Sequence, residues 1–194
     1  MRLPGGYDGG MSDVERNPWQ RISRRLAYEN PWIELYHDEV VRPDGRPGVY
    51  GVVHFRHRAI GVVPMEGDRI LLVGQYRYTL DRYSWEIPEG GGDFDEDPEA
   101  AARRELAEET GYTGGVWREL CRADLSNSVT DEAAITFVAT GLVAGPAAPD
   151  GTEELATHWV TFDEAMALIA AGEIRDAMSI LALQQLALER AARR

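Results

Sequence analysis

Residues 90–112 read GGGDFDEDPEAAARRELAEETGY. Asp97 offers an N-cap oxygen, Pro98 fits the first position of a helix, and Gly111 suits the left-handed residue that ends one. The spacing predicts a helix from Pro98 to about Thr110. On it Glu105, Glu108 and Glu109 stand at i, i+3 and i+4, within an arc of about 100°. Three like charges on one stripe repel, and Asp93, Asp95, Glu96, Asp97 and Glu99 add to them just upstream. A hard divalent cation relieves such a cluster, and oxygen-only ligands favour Mg²⁺ or Mn²⁺ over zinc. Arg104 is placed to pair with Glu96 or Glu108 and tie the loop to the helix. The plain alternative is a solvated acidic helix face.

Outward from this stretch, strand signals dominate upstream. Trp32–Tyr36 and Val49–Phe55 are β-branched and aromatic, with the turn Arg42-Pro43-Asp44-Gly45 between them. Ala59–Met65 and Arg69–Val73 flank a second turn at Glu66-Gly67-Asp68. Trp85–Pro88 is a short extended piece that runs into the loop of glycines at Gly90–Gly92. Downstream, strands are expected near Val116–Leu120, Ile135–Val138 and Leu155–Val160. Thr161 and Glu164 form a capping box that opens a helix to about Ala170, and Ile174–Arg193 has helical period. Strands, helix, strands, helices give an α+β fold. No internal repeat or low-complexity tract interrupts it.

Composition narrows the function classes. The chain has 194 residues, 44% apolar and 27% charged, which fits a soluble globular protein with one main domain. Its formal net charge of −13 repels duplex nucleic acid and anionic lipid. All 20 basic residues are Arg, so phosphate-loop, Schiff-base and general-base lysines are excluded. Cys121 is the single cysteine, which excludes an internal disulfide framework and a multi-cysteine zinc site. No apolar run approaches the roughly 18 residues of a membrane span, and no secretory signal is visible, so a cytoplasmic location is expected. Residues 1–20 read as a flexible tail, 21–58 as an antiparallel β extension, and 59–194 as the main domain.

The spacing Gly90-x5-Glu96-x7-Arg104-Glu105-Leu106-x-Glu108-Glu109-x-Gly111-Tyr112 resembles the signature box of the Nudix hydrolase family. Tyr112 stands where that family usually has an aliphatic residue. Over about residues 28–190 the chain is similar to the branch that cleaves ADP-ribose and nucleoside-diphosphate sugars. Leu72–Arg77, Ser84–Gly90 and Gly172–Ala177 carry that similarity. The resemblance implies a mixed β-sheet sandwiched between helices, with the N-terminal strands pairing across a two-fold axis in a homodimer whose active site borrows residues from its mate. It also implies Mg²⁺-dependent attack of water on a pyrophosphate phosphorus, with Mn²⁺ as a substitute. Glu105 and Glu109 are then the first metal ligands. Glu108 is a third ligand or orients Arg104, and the backbone carbonyl of Glu89 is a further ligand. The water-activating base lies in a later acidic loop, where Glu153 and Glu154 are the choices. Arg77 corresponds to a phosphate-contacting arginine and Glu132 to a substrate- or metal-contacting acid. Tyr28, Trp32 and Trp85 are candidates for stacking on a nucleobase, against the commoner roles of core or dimer contact.

The sequence departs from the branch at two places. Asn127-Ser128 replaces the familiar Pro-Gly before Glu132, and Val49–Phe55 replaces an Arg-containing strand. Other readings remain open: a Nudix enzyme for a dinucleotide such as NADH, FAD or a diadenosine polyphosphate, and a non-catalytic nucleotide sensor. The second usually loses the box acids, which this chain keeps.

Overall fold

The computed structural model describes residues 16–147 and 154–192. Residues 1–15 of the expected tail lie outside the described residues. The chain divides into two compact units, Met1–His54 and Phe55–Arg194.

The first unit is built on a three-stranded antiparallel sheet in the order β1 (Gln20–Glu29), β2 (Ile33–Val41), β3 (Pro47–Phe55). The expected turn is present, with the Gly45 amide donating to the Arg42 carbonyl at 2.8 Å. The outer strand β1 is exposed along its whole length. Its apolar residues Ile22, Leu26 and Tyr28 stand at alternate positions but are not buried within the described residues. Backbone pairing and a bidentate Arg24–Asp38 bridge, both contacts 2.7 Å, hold it to β2. That bridge keeps the buried Asp38 carboxyl below the usual range.

The second unit contains β4 (His57–Glu66), β5 (Arg69–Arg77), β6 (Arg82–Glu86), β7 (Glu89–Asp93), α1 (Pro98–Thr110), β8 (Tyr112–Asp124), β9 (Ala133–Ala144), β10 (Ala156–Thr161), α2 (Phe162–Ala171) and α3 (Ala177–Ala192). The five longest-paired strands run β10-β5-β4-β9-β8, with β4 and β9 parallel. The alternation of strand side chains separates two cores. Ile60, Val62, Ile135, Phe137 and Ala139 pack on Ala101, Ala102 and Leu106 of α1. Val63, Met65, Ala134 and Val138 face the other way, onto Ala165 of α2 and Met178, Ala182, Leu183 and Leu186 of α3. The mixed sheet is thus sandwiched between helices. Burial on both faces explains why β4 reads as a nearly continuous apolar run.

One irregularity creates the functional region. β4 and β5 pair only at Met65–Ile70 and Glu66–Arg69, then part. β6 takes over the partnership with β5 from Val73 to Arg77, and β7 takes over β4 from His57 to Gly61. The linking dipeptide Ile87-Pro88 is anchored in the fork. The Ile87 amide donates to Ser179 Oγ at 2.9 Å, and Pro88 accepts from the Val62 amide at 2.9 Å.

The glycine run expected as a loop is instead the strand β7. Its backbone pairs with β4 while α1 lies close against it. A Cβ on Gly92 would come within 2.9 Å of Ile60 Cγ1 and 3.0 Å of Ala101 Cβ. Glycine here answers a steric demand in the packed structure, which overrides the low strand propensity of the residue.

The helix α1 begins and ends where the sequence puts it. Asp97 accepts from the Ala100 amide, and Gly111 closes the last turn in the left-handed region. Thr161 and Glu164 form the expected capping box of α2. Leu106 fixes α1 to the sheet and is fully buried. Leu106→Ala is expected to lower unfolding free energy by about 2–5 kcal/mol in a denaturant titration, the usual cost of such a cavity.

Candidate active site

Three elements meet at the fork: the ends of β5 and β6, the start of β7 with α1, and the start of α3. The box glutamates of α1 sit in three different environments. Glu109 is buried, and its Oε2 accepts from the Glu89 amide at 3.1 Å. Glu105 lies directly over Gly90, where any Cβ would overlap its carboxylate. Glu108 is more open and meets Arg104 at 3.2 Å. Arg104 also reaches Glu105 at 2.7 Å, Glu96 at 3.3 Å and the Gly91 carbonyl at 2.8 Å. It ties the loop, the glycine strand and the helix together, as the spacing suggests. The surrounding carboxylates raise its guanidinium pKa further against the cost of burial.

A second acidic group includes the side chain of Glu89 itself. Glu86, Glu89 and Asp176 each present a carboxylate oxygen within 4.8 Å of the others. Asp176 is held in place as the cap of α3, accepting from the Ser179 amide at 2.6 Å. Arg77 grips the pair on the strands, with Nε donating to Glu86 at 2.9 Å and Nη2 donating to Glu89 at 2.6 Å. The Glu86 side chain is only 3% exposed, so the charge from Arg77 is what makes its burial tolerable. Burial pushes the Glu89 carboxyl well above the usual range, with Asp176, Glu86 and Glu109 adding to the effect and Arg77 opposing it. Glu89 Oε2 is buried and has no hydrogen-bond partner among the described residues.

This donor set fits a divalent cation. It is all oxygen, it concentrates negative charge out of water, and it contains a buried carboxylate oxygen whose bonding capacity is unused. Glu86, Glu89 and Asp176 would hold the ion, and Glu109 of the box helix is tied to the same stretch through the Glu89 amide. A bound Mg²⁺ would supply charge neutralisation and polarisation of a phosphoryl oxygen.

The structure brings Arg77, Glu89, Arg104, Glu105, Glu108 and Glu109 to one region. Glu132 belongs near it: burial and Asp176 together raise its carboxyl above the usual value. Glu154 is exposed, and Glu153 lies outside the described residues. Tyr28 and Trp32 are exposed on the first unit, at 55% and 66%. Trp85 is half-buried and packs edge-on against Tyr83. The sequence reading missed Glu86 and Asp176. Glu86 lies in Ser84–Gly90 and Asp176 in Gly172–Ala177, two segments that drew notice for their likeness to the branch, but only the fold brings them together.

A model of the NUDIX domain matches residues 55–181, and a model of the nucleoside diphosphate sugar hydrolase N-terminal domain matches residues 19–53. The chain belongs to the Nudix hydrolase family. It is 32% identical to an ADP-ribose pyrophosphatase of Bacillus subtilis, over 88% of this chain and 93% of that one. It is also 32% identical to an ADP-ribose pyrophosphatase of Mycobacterium tuberculosis, over 86% and 82% of the two chains. The CMP-5'-(N-acetyl-N-hydroxy-3-aminopropyl)phosphonate hydrolase of Streptomyces rubellomurinus shares 32% identity over 79% and 75%. Among solved structures, an ADP compounds hydrolase matches the fold with a TM-score of 0.82 at 19% identity, covering 90% of this chain and 95% of that one. This Nudix chain is a magnesium-dependent pyrophosphohydrolase, acting on a nucleoside diphosphate linked to a second group. Among the described residues, no helix is long and apolar enough to cross a membrane.

The raised Glu89 carboxyl has a consequence for stability. The native state keeps this proton at pH values where the unfolded chain, titrating near the ordinary 4.5, has lost it. The native state therefore binds more protons, and this contribution to stability falls as pH rises above about 4.5. In chelator, Glu89→Gln is expected to flatten that fall in thermal unfolding across pH 5–8. Added Mg²⁺ should stabilise the unaltered protein at the upper end of the range.

Proposed function

We propose that the substrate is ADP-ribose or a related nucleotide sugar, cleaved to a nucleoside monophosphate and the phosphorylated sugar. The observation that carries this reading is a cleft of about 430 Å³ beside the acidic cluster, lined by Arg77, Arg82, Arg175, Ser84, Glu86, Glu89 and Asp176. Its volume lies in the range of small-molecule sites, and it pairs cation ligands with guanidiniums suited to phosphate. The match of residues 19–53 to a nucleoside diphosphate sugar hydrolase module supports the same class, as do the two ADP-ribose pyrophosphatase relatives.

In this reading Glu105 and Glu109 are metal ligands, joined by Glu89 and by Glu108 as the outer member. Arg104 is a positioning residue that keeps Glu105 over Gly90. Arg77 contacts substrate phosphate in addition to holding Glu86 and Glu89, and Glu132 contacts substrate or metal. Water activation falls to Glu153 or Glu154. The exposed rings of Tyr28 and Trp32 are of the kind that stacks on a base.

Glu105→Gln and Glu109→Gln are expected to lower turnover by about two orders of magnitude or more with the fold intact by circular dichroism. Near-normal rates in both would refute the ligand assignment. A panel of ADP-ribose, ADP-glucose, GDP-mannose, NADH and FAD with Mg²⁺, read by nucleoside monophosphate formation, tests the substrate class. Faster turnover of NADH, FAD or a diadenosine polyphosphate would favour the dinucleotide reading, and no turnover of any would favour a sensor.

We also propose a homodimer through the first unit. Its outer strand β1 has one backbone edge unpaired among the described residues and exposes Ile22, Leu26 and Tyr28 at 45–58%. Such an edge in a native protein is normally covered. Light scattering is expected to give twice the 21.6 kDa chain mass, and Leu26→Glu is expected to yield monomer.

A further inference from the structure

Arg82 and Arg175 are left over once the acidic site has been described. The cleft beside the fork holds three guanidiniums, Arg77, Arg82 and Arg175, facing the carboxylates of Glu86, Glu89 and Asp176. Arg77 already holds Glu86 and Glu89. Arg82 and Arg175 make no ion pair or side-chain hydrogen bond among the described residues, although acids outnumber arginines 33 to 20 in the chain. Most other arginines of the second unit hold a carboxylate or a carbonyl: Arg69 with Glu66, Arg103 with Glu99, Arg118 with Glu189, Arg122 with Glu119 and Arg190 with Asp68.

Their placement also works against the bare protein. Arg77 and Arg82 are direct cross-strand partners on β5 and β6. Like charges opposite each other on antiparallel strands destabilise the pair. Arg82 is half-buried there, so water screens it incompletely. Arg175 immediately precedes Asp176, the cap of α3, and so reaches the same cleft from the opposite wall. Three guanidiniums balance three carboxylates, and a divalent cation bound to the carboxylates would leave a surplus of two positive charges. A diphosphate bridge with two ionised oxygens carries the complementary charge.

We propose that Arg82 and Arg175 are specificity-determining residues that clamp a phosphoryl or phosphonyl group on the side of the substrate away from the box helix. The inference rests on the nucleoside-diphosphate reading and deepens it. Arg77 holds the carboxylates and contributes to the phosphate contact, and Arg82 and Arg175, without an ion-pair partner among the described residues, supply the rest of the grip on the anion. The clamped group is either the second phosphoryl of the scissile linkage or an anion farther out on the leaving group.

The test separates binding from turnover. Methylenediphosphonate, which cannot be hydrolysed, is titrated calorimetrically in chelator at low salt into the full chain and into Arg82→Gln, Arg175→Gln and the double variant. Arg118→Gln, remote from the cleft, serves as the charge control. About tenfold weaker binding in each single variant, a larger loss in the double variant, and unchanged affinity in the control are expected. Arg82→Lys should recover part of the loss, since it restores charge without the fork of donors. Thermal unfolding should show Arg82→Gln at least as stable as the unaltered chain, because a like-charge pair has been removed. Equal binding by the double variant and the unaltered chain would overturn the proposal, and so would the absence of binding to either. Because no catalysis is needed, this outcome is separate from any failure of the substrate panel. With Mg²⁺ and substrates, a KM raised for every nucleotide sugar identifies the scissile linkage as the clamped group. A KM raised only where the sugar carries a further phosphate or phosphonate identifies the outer anion.

Discussion

The hydrogen bond from the Glu89 amide to the Glu109 carboxylate is the constraint on which the site depends. It joins the backbone at the fork of the sheet to the buried face of the box helix. The amide of Glu89 reaches the box acids and its carboxylate reaches the Arg77 cluster. Moving Glu89 would disturb both at once, because its amide serves the first and its carboxylate serves the second. The fork makes this possible. If β4 and β5 had stayed paired along their length, β6 and β7 would have no place in the sheet, and Glu86 and Glu89 would not face Asp176.

Charge is organised around that backbone with little help from solvent. Glu86 and Glu109 are almost completely buried, and the cost of burying each is met by a specific donor: the Arg77 guanidinium for the first, the Glu89 amide for the second. Glu89 itself is left partly unmet, with one oxygen bonded to Arg77 and the other without a partner among the described residues. A strongly acidic protein can bind a polyanionic substrate because metal and arginine invert the local sign of the field.

Much of the helix-borne part of this site was legible in the sequence. Helix α1 could be placed within a residue at each end because capping is local chemistry: Asp97, Pro98 and Gly111 act on their immediate neighbours. The i, i+3, i+4 spacing likewise put Glu105, Glu108 and Glu109 on one helix, and Arg104 meets the acids expected of it. The differing environments of the three glutamates were not legible. Glu109 is buried and Glu108 open because strand β7 covers one side of α1, and helical period alone carries no information about what lies against the helix.

The sequence by itself determined the element types, the helix termini, the acidic stripe and its preference for a hard cation, since each follows from contacts a few residues apart. The tertiary structure alone decided that the glycine run is a strand and that Arg77 serves carboxylates. It also decided that Glu86, Glu89 and Asp176, spread over some 90 residues of chain, form one cluster. Those outcomes come from pairing between distant segments, where register and close packing set which side chains meet, and no local propensity encodes that choice.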